Sequence, residues 1–212
     1  MKRFVIADPH FGHENIIKYE NRPFSNVEEM DEKLIALWNK TVGKDDLVYI
    51  LGDFTLSKNK ETISKLANSL HGKKVLIMGN HDTRKPKDYV ECGFETATRK
   101  PIMVDSGVIL MHEPFADENY ISSLYIYFFG HVHANKTMMD ELINAMCVCV
   151  ERTGYKPIDL DKAIKKIKRA MEEENNYIAK KVEEGMEDIE AGRVLTAEKV
   201  SKLLEEELGI KD

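Results

Sequence analysis

Residues 74–82 read Lys74-Val75-Leu76-Ile77-Met78-Gly79-Asn80-His81-Asp82, an apolar run that stops at a glycine and opens directly into an amide, an imidazole and a carboxylate. A short run rich in β-branched residues and bounded by Gly reads as a strand buried on both faces. The same pattern occurs four more times. Lys2–Ala7 runs into Asp8 and His10, Leu47–Leu51 into Gly52-Asp53, Val108–Met111 into His112, and Tyr125–Phe129 into Gly130-His131-Val132-His133. Sites in layered folds gather at strand ends, so the five ends are expected to converge. They would bring two carboxylates, an amide and at least four imidazoles into one pocket, which needs cations to neutralise and coordinate it. Gly52, Gly79 and Gly130 each precede a proposed ligand, where a missing Cβ allows close approach.

At 212 residues the chain can bury a full core and still carry an appendage. A formal net charge of -6 supplies no general attraction for nucleic acid, and no basic patch stands out. No run approaches the roughly 18 apolar residues of a membrane span, and the opening Met1–Ile6 meets Asp8 too soon for a signal sequence. A cytoplasmic protein with no membrane partner is expected. Cys92, Cys147 and Cys149 are an odd number and read as buried, reduced thiols.

All the histidines lie at or before His133, and the composition changes near Lys156-Pro157. A domain over 1–156 and a helical extension over 157–212 are therefore expected. Within the first, the spacing predicts helices over Val27–Thr41, capped by Ser25 or Asn26, and over Lys60–Leu70. Pro101–Val104 and Val108–Met111 flank the turn residues Asp105-Ser106-Gly107 and predict an antiparallel hairpin, so the sheet content is mixed. In the extension, Leu160, Ile164, Ile167, Met171, Ile178, Val182, Met186 and Ile189 follow the helical period, with a kink or break expected at Asn175-Asn176. This stripe is expected to bury against the first domain or a second copy. Gly192 should stop the helix, and Thr196 should cap a last one carrying Val200, Leu203, Leu204 and Leu208 before Gly209.

Taken in order, Asp8-Pro9-His10, Gly52-Asp53, Gly79-Asn80-His81-Asp82, the lone His112 and Gly130-His131-Val132-His133 resemble the signature of the calcineurin-like metallophosphoesterases. The loop from His10 to Ile16 is similar to a small bacterial and phage branch. The resemblance covers about residues 1–150. It implies an α+β fold, a four-layer α/β/β/α sandwich of two mixed sheets flanked by helices. It also implies two divalent transition-metal ions, one held by Asp8, His10, Asp53 and His133, the other by Asn80, His112 and His131, with Asp53 bridging. Imidazole-rich ligation disfavours magnesium and calcium, which leaves manganese first, then iron, zinc, nickel or cobalt. By the same resemblance a hydroxide held between the ions attacks phosphorus, and His81 protonates the leaving oxygen. Asp82 either orients His81 or caps the turn.

One departure narrows the substrate. Protein-phosphatase members resemble Gly-Asp-x-Val-Asp-Arg-Gly at the second motif, whereas Asp53 is followed here by Phe54-Thr55-Leu56-Ser57. The Asp partner of the catalytic His and a phosphate-gripping Arg are both missing, which argues against phosphoprotein substrates. Arg22 and Arg84 are candidates to supply the guanidinium fork, or are solvated loop charges. His13 is a candidate to contact the substrate phosphate or steady a metal ligand. The expected activity is hydrolysis of small phosphodiesters or nucleotides. The alternatives are a phosphomonoesterase, a nuclease, or a metal-bound scaffold that recruits a partner through its tail. Glu183–Val200 resembles the C-terminal segment of some addiction-module antitoxins, which makes the extension a candidate contact for a second copy or a protein partner.

Overall fold

The computed structural model describes residues 1–196 and 199–201. The chain divides into two compact units, Met1–Arg169 and Ala170–Asp212. The first unit is built on two sheets. One contains β1 (Arg3–Ile6), β2 (Leu47–Ile50), β3 (Lys73–Ile77), β4 (Thr96–Thr98) and β9 (Ile158–Asp159), in the order β4-β3-β2-β1-β9. Its strands run parallel except β9, which pairs antiparallel with β1 through Phe4↔Asp159 and Val5↔Ile158. The other sheet has the order β5 (Ile102–Val104), β6 (Val108–Leu110), β7 (Ile126–Phe129) and β8 (Ala145–Cys147). There β5 and β6 form the predicted antiparallel hairpin, while β6, β7 and β8 are parallel.

Alternation along the strands explains why they stay put. Phe4, Ile6, Val48, Ile50 and Leu76 pack in one core with Met30, Leu34 and Trp38 of α2 (Val27–Thr41) and with Ile63 and Ala67 of α3 (Lys60–Ser69). Val5, Tyr49 and Ile77 turn to the opposite face and are buried too, so both faces are covered, as expected for parallel strands. Asn26 caps α2 by accepting the Glu29 N–H at 2.8 Å. Short helices α1 (Glu14–Tyr19), α4 (Pro86–Glu91) and α5 (Val150–Thr153) sit in the connections. The two sheets are stitched beside the end of β1, where the Ala7 N–H donates to the Val148 carbonyl at 2.9 Å and the Val150 N–H donates to the Ala7 carbonyl at 3.1 Å. The result is an α+β sandwich of two mixed sheets with flanking helices.

The helix α6 runs from Leu160 to Glu190 without a break. The interruption expected at Asn175-Asn176 does not occur, because asparagine costs a helix well under 1 kcal/mol and neither Gly nor Pro is present there. The division between the units falls inside this helix, past the change in composition at Lys156-Pro157. Leu160, Ala163, Ile164 and Ile167 are buried in the first unit, whereas Ile178, Val182, Met186 and Ile189 of the second are more than half exposed. The stripe therefore buries only in its first turns. Gly192, at a φ of 68°, ends the helix as expected. The expected last helix is described only at its start, with Leu203, Leu204, Leu208 and Gly209 outside the described residues. Among the described residues no helix is long and apolar enough to cross a membrane.

Truncation after Lys156 would remove β9 and the buried residues Leu160, Ile164 and Ile167. Each of those side chains is worth about 1.5–3 kcal/mol, so the loss rivals the 5–15 kcal/mol total of a typical domain. The shortened protein is expected to aggregate or to melt far lower, and truncation after Arg169 to shift Tm by only a few degrees. Equal melting of the two truncations, read by calorimetry, would refute this.

Candidate metal centre

Every predicted ligand follows a strand. Asp8 and His10 follow β1, Asp53 follows β2, Asn80 follows β3, His112 follows β6, and His131 and His133 follow β7. Because these strands are parallel within each sheet and held in register, their carboxyl ends line up on one side. The backbone there is unusual. Asp8, His10, Asp53, His131 and His133 all have positive φ, between 50° and 72°. A non-glycine residue in this region costs of order 1–3 kcal/mol, and such residues collect at functional sites.

Two groups of ligand atoms result. Asp8, His10 and His133 each offer one atom within 4.8 Å of the others, and so do Asp53, His112 and His131. In the second group the Asn80 Oδ1 lies 3.0 Å from His112 Nε2 and 3.2 Å from His131 Nδ1, and the two imidazole nitrogens are 3.2 Å apart. His112 Nδ1 lies 2.9 Å from the Leu51 carbonyl, to which it can only donate, so Nε2 presents a lone pair. Lone pairs facing one another at these distances repel unless a cation lies among them. In the first group, Asp8 Oδ1 and His10 Nε2 are buried with no hydrogen-bond partner, although they lie only 4.0 Å apart. The other Asp8 oxygen is already occupied by the His131 N–H at 2.8 Å and the Cys149 thiol at 3.2 Å. Asp53 Oδ2 lies between the groups, 3.5 Å from His10 Nε2 and 3.7 Å from His112 Nε2.

Close approach explains the glycines. A Cβ on Gly79 would fall 2.1 Å from Asp53 Oδ1, and one on Gly52 would fall 2.1 Å from His112 Nδ1. The charge balance points the same way. Burial, reinforced by Asp53, pushes the Asp8 carboxyl well above the usual range. Burial, with His133, Arg22 and neighbouring imidazoles, lowers His10 to about 2, so it is neutral and able to ligate. Burial likewise lowers His112. For His133, burial lowers the pKa but the hydrogen bond it donates to Glu151 and the charge of Asp8 outweigh it, and the net direction is upward. The lowered pKa values of His10 and His112 favour the ligating, neutral imidazole, and a dication beside Asp8 would offset the cost of burying its charge.

The remaining predicted residues divide. The His81 ring is exposed on the same face, 5.3 Å from the His10 ring, and its backbone N–H donates to Asp53 Oδ1 at 2.9 Å. His13 is brought to this face too, with its Nδ1 3.4 Å from His10 Nδ1. Burial and the neighbouring His81 and Arg22 lower its pKa. Asp82 is turned inward, where its carboxylate accepts the Asp53, Phe54 and Gly79 N–H groups at 2.8, 3.1 and 2.9 Å. Of the two roles open to it, capping the turn fits its bond from the Gly79 N–H, and the bonds from Asp53 and Phe54 add a tie to the neighbouring loop. Burial pushes it up to about 7 despite those bonds, with Asp53 adding to the rise. Arg84 donates to the Lys58 carbonyl, and its Nε lies 3.5 Å from Asp88. Arg22 is buried beneath the metal face, with its donors directed to Glu151 and to the carbonyls of Asp8 and Pro9.

Two residues escape the reading of the sequence. Glu151 accepts from His133 Nδ1 at 3.0 Å. The signal was there, since Ala145–Val150 is a sixth apolar run that ends in a carboxylate. Arg99 donates to the carbonyls of Asp82 and Arg84, both at 3.2 Å, and lines a cavity with Asn80 and His112. No local pattern marks it.

Comparison with known proteins agrees with this arrangement. A model of the calcineurin-like phosphoesterase family matches residues 1–135. An uncharacterised protein of Methanocaldococcus jannaschii is 41% identical over 174 residues, covering 79% of this chain and 92% of its own length. The gene 66 protein of Mycobacterium phage L5 is 31% identical over 135 residues, covering 55% of this chain and 65% of its own. The crystal structure of a protein of unknown function from Aquifex aeolicus matches with a TM-score of 0.64 at 27% identity, covering 77% of this chain and 98% of that one. The matched family span ends just past His133 and so takes in every strand end that carries a candidate ligand; the chain belongs to the calcineurin-like phosphoesterases, a family of metal-dependent phosphoric-ester hydrolases.

Proposed function

We propose that this protein is a dinuclear metal-dependent phosphodiesterase acting on small phosphodiesters or nucleotides. The observation that carries the choice of a diester is a cavity of about 420 Å³ opening beside Asn80 and His112, with Ile77, Met78 and Met111 among its walls and Arg99, Pro101 and Glu113 at its exposed rim. A monoester has a single organic arm, which departs. A diester keeps a second arm after cleavage, and a cavity of mixed lining, with apolar side chains on its walls and a guanidinium and a carboxylate at its rim, suits a nucleoside or similar group.

In this reading Asp8, His10, Asp53 and His133 would hold one ion, and Asp53, Asn80, His112 and His131 would hold the other, with manganese the preferred metal. The ions, when bound, supply an activated water and neutralise charge on the phosphoryl oxygens. The protein's own groups do the rest. His81, exposed and fixed through its backbone to Asp53, gives a proton to the leaving oxygen. His13 steadies His10 and helps to orient the phosphate. Asp82 keeps the Asp53 and His81 loops together. The three cysteines are buried and unpaired, which suits the proposed cytoplasmic location.

Manganese-reconstituted protein is expected to prefer bis(p-nitrophenyl) phosphate to p-nitrophenyl phosphate. Pro101→Trp, which places a bulky ring at the cavity rim, should lower kcat/KM for the diester by roughly tenfold, the scale of one pocket contact, and spare the monoester. A preference for the monoester, together with equal losses on both substrates, would sink the diester reading.

A further inference from the structure

We infer that Glu151 and Arg22 are positioning residues for the first metal group, with Glu151 fixing the His133 imidazole and Arg22 anchoring that carboxylate to the backbone of the Asp8 loop. The inference rests on the metal reading above but concerns residues that reading does not use. Glu151 Oε1 lies 3.0 Å from His133 Nδ1, 2.9 Å from Arg22 Nε and 2.7 Å from Arg22 Nη2. A carboxylate in that place holds the proton of the imidazole on Nδ1 and leaves Nε2 as the nitrogen available to the Asp8 and His10 group. Besides a contact to Met30 Sδ at 3.4 Å, the guanidinium makes two bonds to the backbone of the Asp8 loop. Arg22 Nη1 donates to the Pro9 carbonyl and Nη2 to the Asp8 carbonyl, both at 2.8 Å. One buried cation thus ties the loop after β1 to the helix after β8.

Stability alone does not account for this pair. The Arg22 and Glu151 side chains are 0% and 5% exposed, and a buried ion pair is often no more stabilising than apolar residues of the same volume. Glu151 also concentrates its bonds on one oxygen while its Oε2 is buried without a partner. That is a poor arrangement for a purely structural carboxylate and a good one for aiming a ring. The same short helix grips His133 a second time, through Arg152 Nε, which donates to the His133 carbonyl at 2.8 Å. His133 holds a φ of 52°, so its ring and its backbone both need external support. Glu20 lies near His133 and Glu151 in a third acidic group, but the cation there is already Arg22.

The test uses Glu151→Gln and the double variant Glu151→Leu/Arg22→Met, which replaces the pair by apolar side chains of comparable size. Equilibrium dialysis of full-length protein against buffered Mn²⁺ should show one of two equivalents weakened by roughly 10- to 100-fold in each variant, the usual cost of removing a group behind a metal ligand. The second equivalent should be unchanged, and the metal-free double variant should melt within a few degrees of wild type. Long-range ¹H–¹⁵N correlation spectra of metal-free protein give a readout independent of the ion. Wild-type His133 should carry its proton on Nδ1, and the double variant should lose that preference. Wild-type affinity for both equivalents, or an unchanged His133 tautomer in the double variant, would overturn the inference. Wild-type protein that takes up fewer than two equivalents would instead overturn the dinuclear reading, and this inference with it.

Discussion

Asp53→Asn is expected to strip the protein of most of its metal, because this one carboxylate faces both ligand groups. Its Oδ2 is within 3.7 Å of both His10 Nε2 and His112 Nε2, while Oδ1 accepts the His81 N–H. An asparagine must put its carbonyl oxygen where the His81 N–H can donate to it. That leaves its NH₂, a donor with no lone pair to offer, directed at the metals. The substitution also removes one of the charges that offsets two dications. Groups behind metal ligands already cost 10- to 100-fold when lost, so affinity should fall by more than roughly 100-fold here, and turnover with it. Elemental analysis should read about two transition-metal equivalents in wild type and well under one in the variant. The metal-free proteins should behave in the opposite sense. Asp53 raises the pKa of both Asp8 and Asp82, alongside the larger effect of burial. Removing its charge relieves that repulsion, and the metal-free variant should melt no lower than metal-free wild type. A variant that keeps two equivalents at full occupancy would end the case for a shared carboxylate.

The second large effect is expected at His81. Its imidazole is exposed and belongs to neither group of ligand atoms, and the bond its residue makes to Asp53 comes from the backbone, which alanine retains. His81→Ala should therefore bind both ions normally while turnover on an alkyl phosphodiester falls by roughly 10²- to 10⁴-fold, the usual contribution of a general acid. With a nitrophenyl leaving group, which departs without a proton, most of the loss should disappear. A variant equally impaired on good and poor leaving groups, or one that loses metal, would show that His81 does something else.

The ligand set was legible because its cause is local. A buried parallel strand must be apolar throughout and must end where a side chain can reach the site, so each end shows up as a break from hydrophobic to metal-binding residues. Asp8, His10, Asp53, Asn80, His112, His131 and His133 all stand at such ends, where the family resemblance singles them out as candidate ligands, and the close approach of the loops explains why Gly52, Gly79 and Gly130 accompany them. The helix over Val27–Thr41 and the hairpin after Pro101 were legible for the same reason, since period, cap and turn lie within a few residues of one another.

Other features depend on which distant residues meet. The two-residue strand β9 is too short to carry a period, and only its pairing with β1 makes it part of the sheet. Arg22 read as a possible phosphate grip, yet folding buries it against Glu151, which is 129 positions away. Asp82 follows the proposed acid in sequence, but three backbone amides turn its carboxylate away from the open face. By itself the sequence determined the fold class, the strand ends and the candidate metal-ligating side chains, because burial and backbone geometry leave their mark within a few neighbouring residues. Only the tertiary structure decided which charged groups face the candidate metal pocket and which are buried behind it, because desolvation and hydrogen bonding act between residues that the chain order keeps far apart.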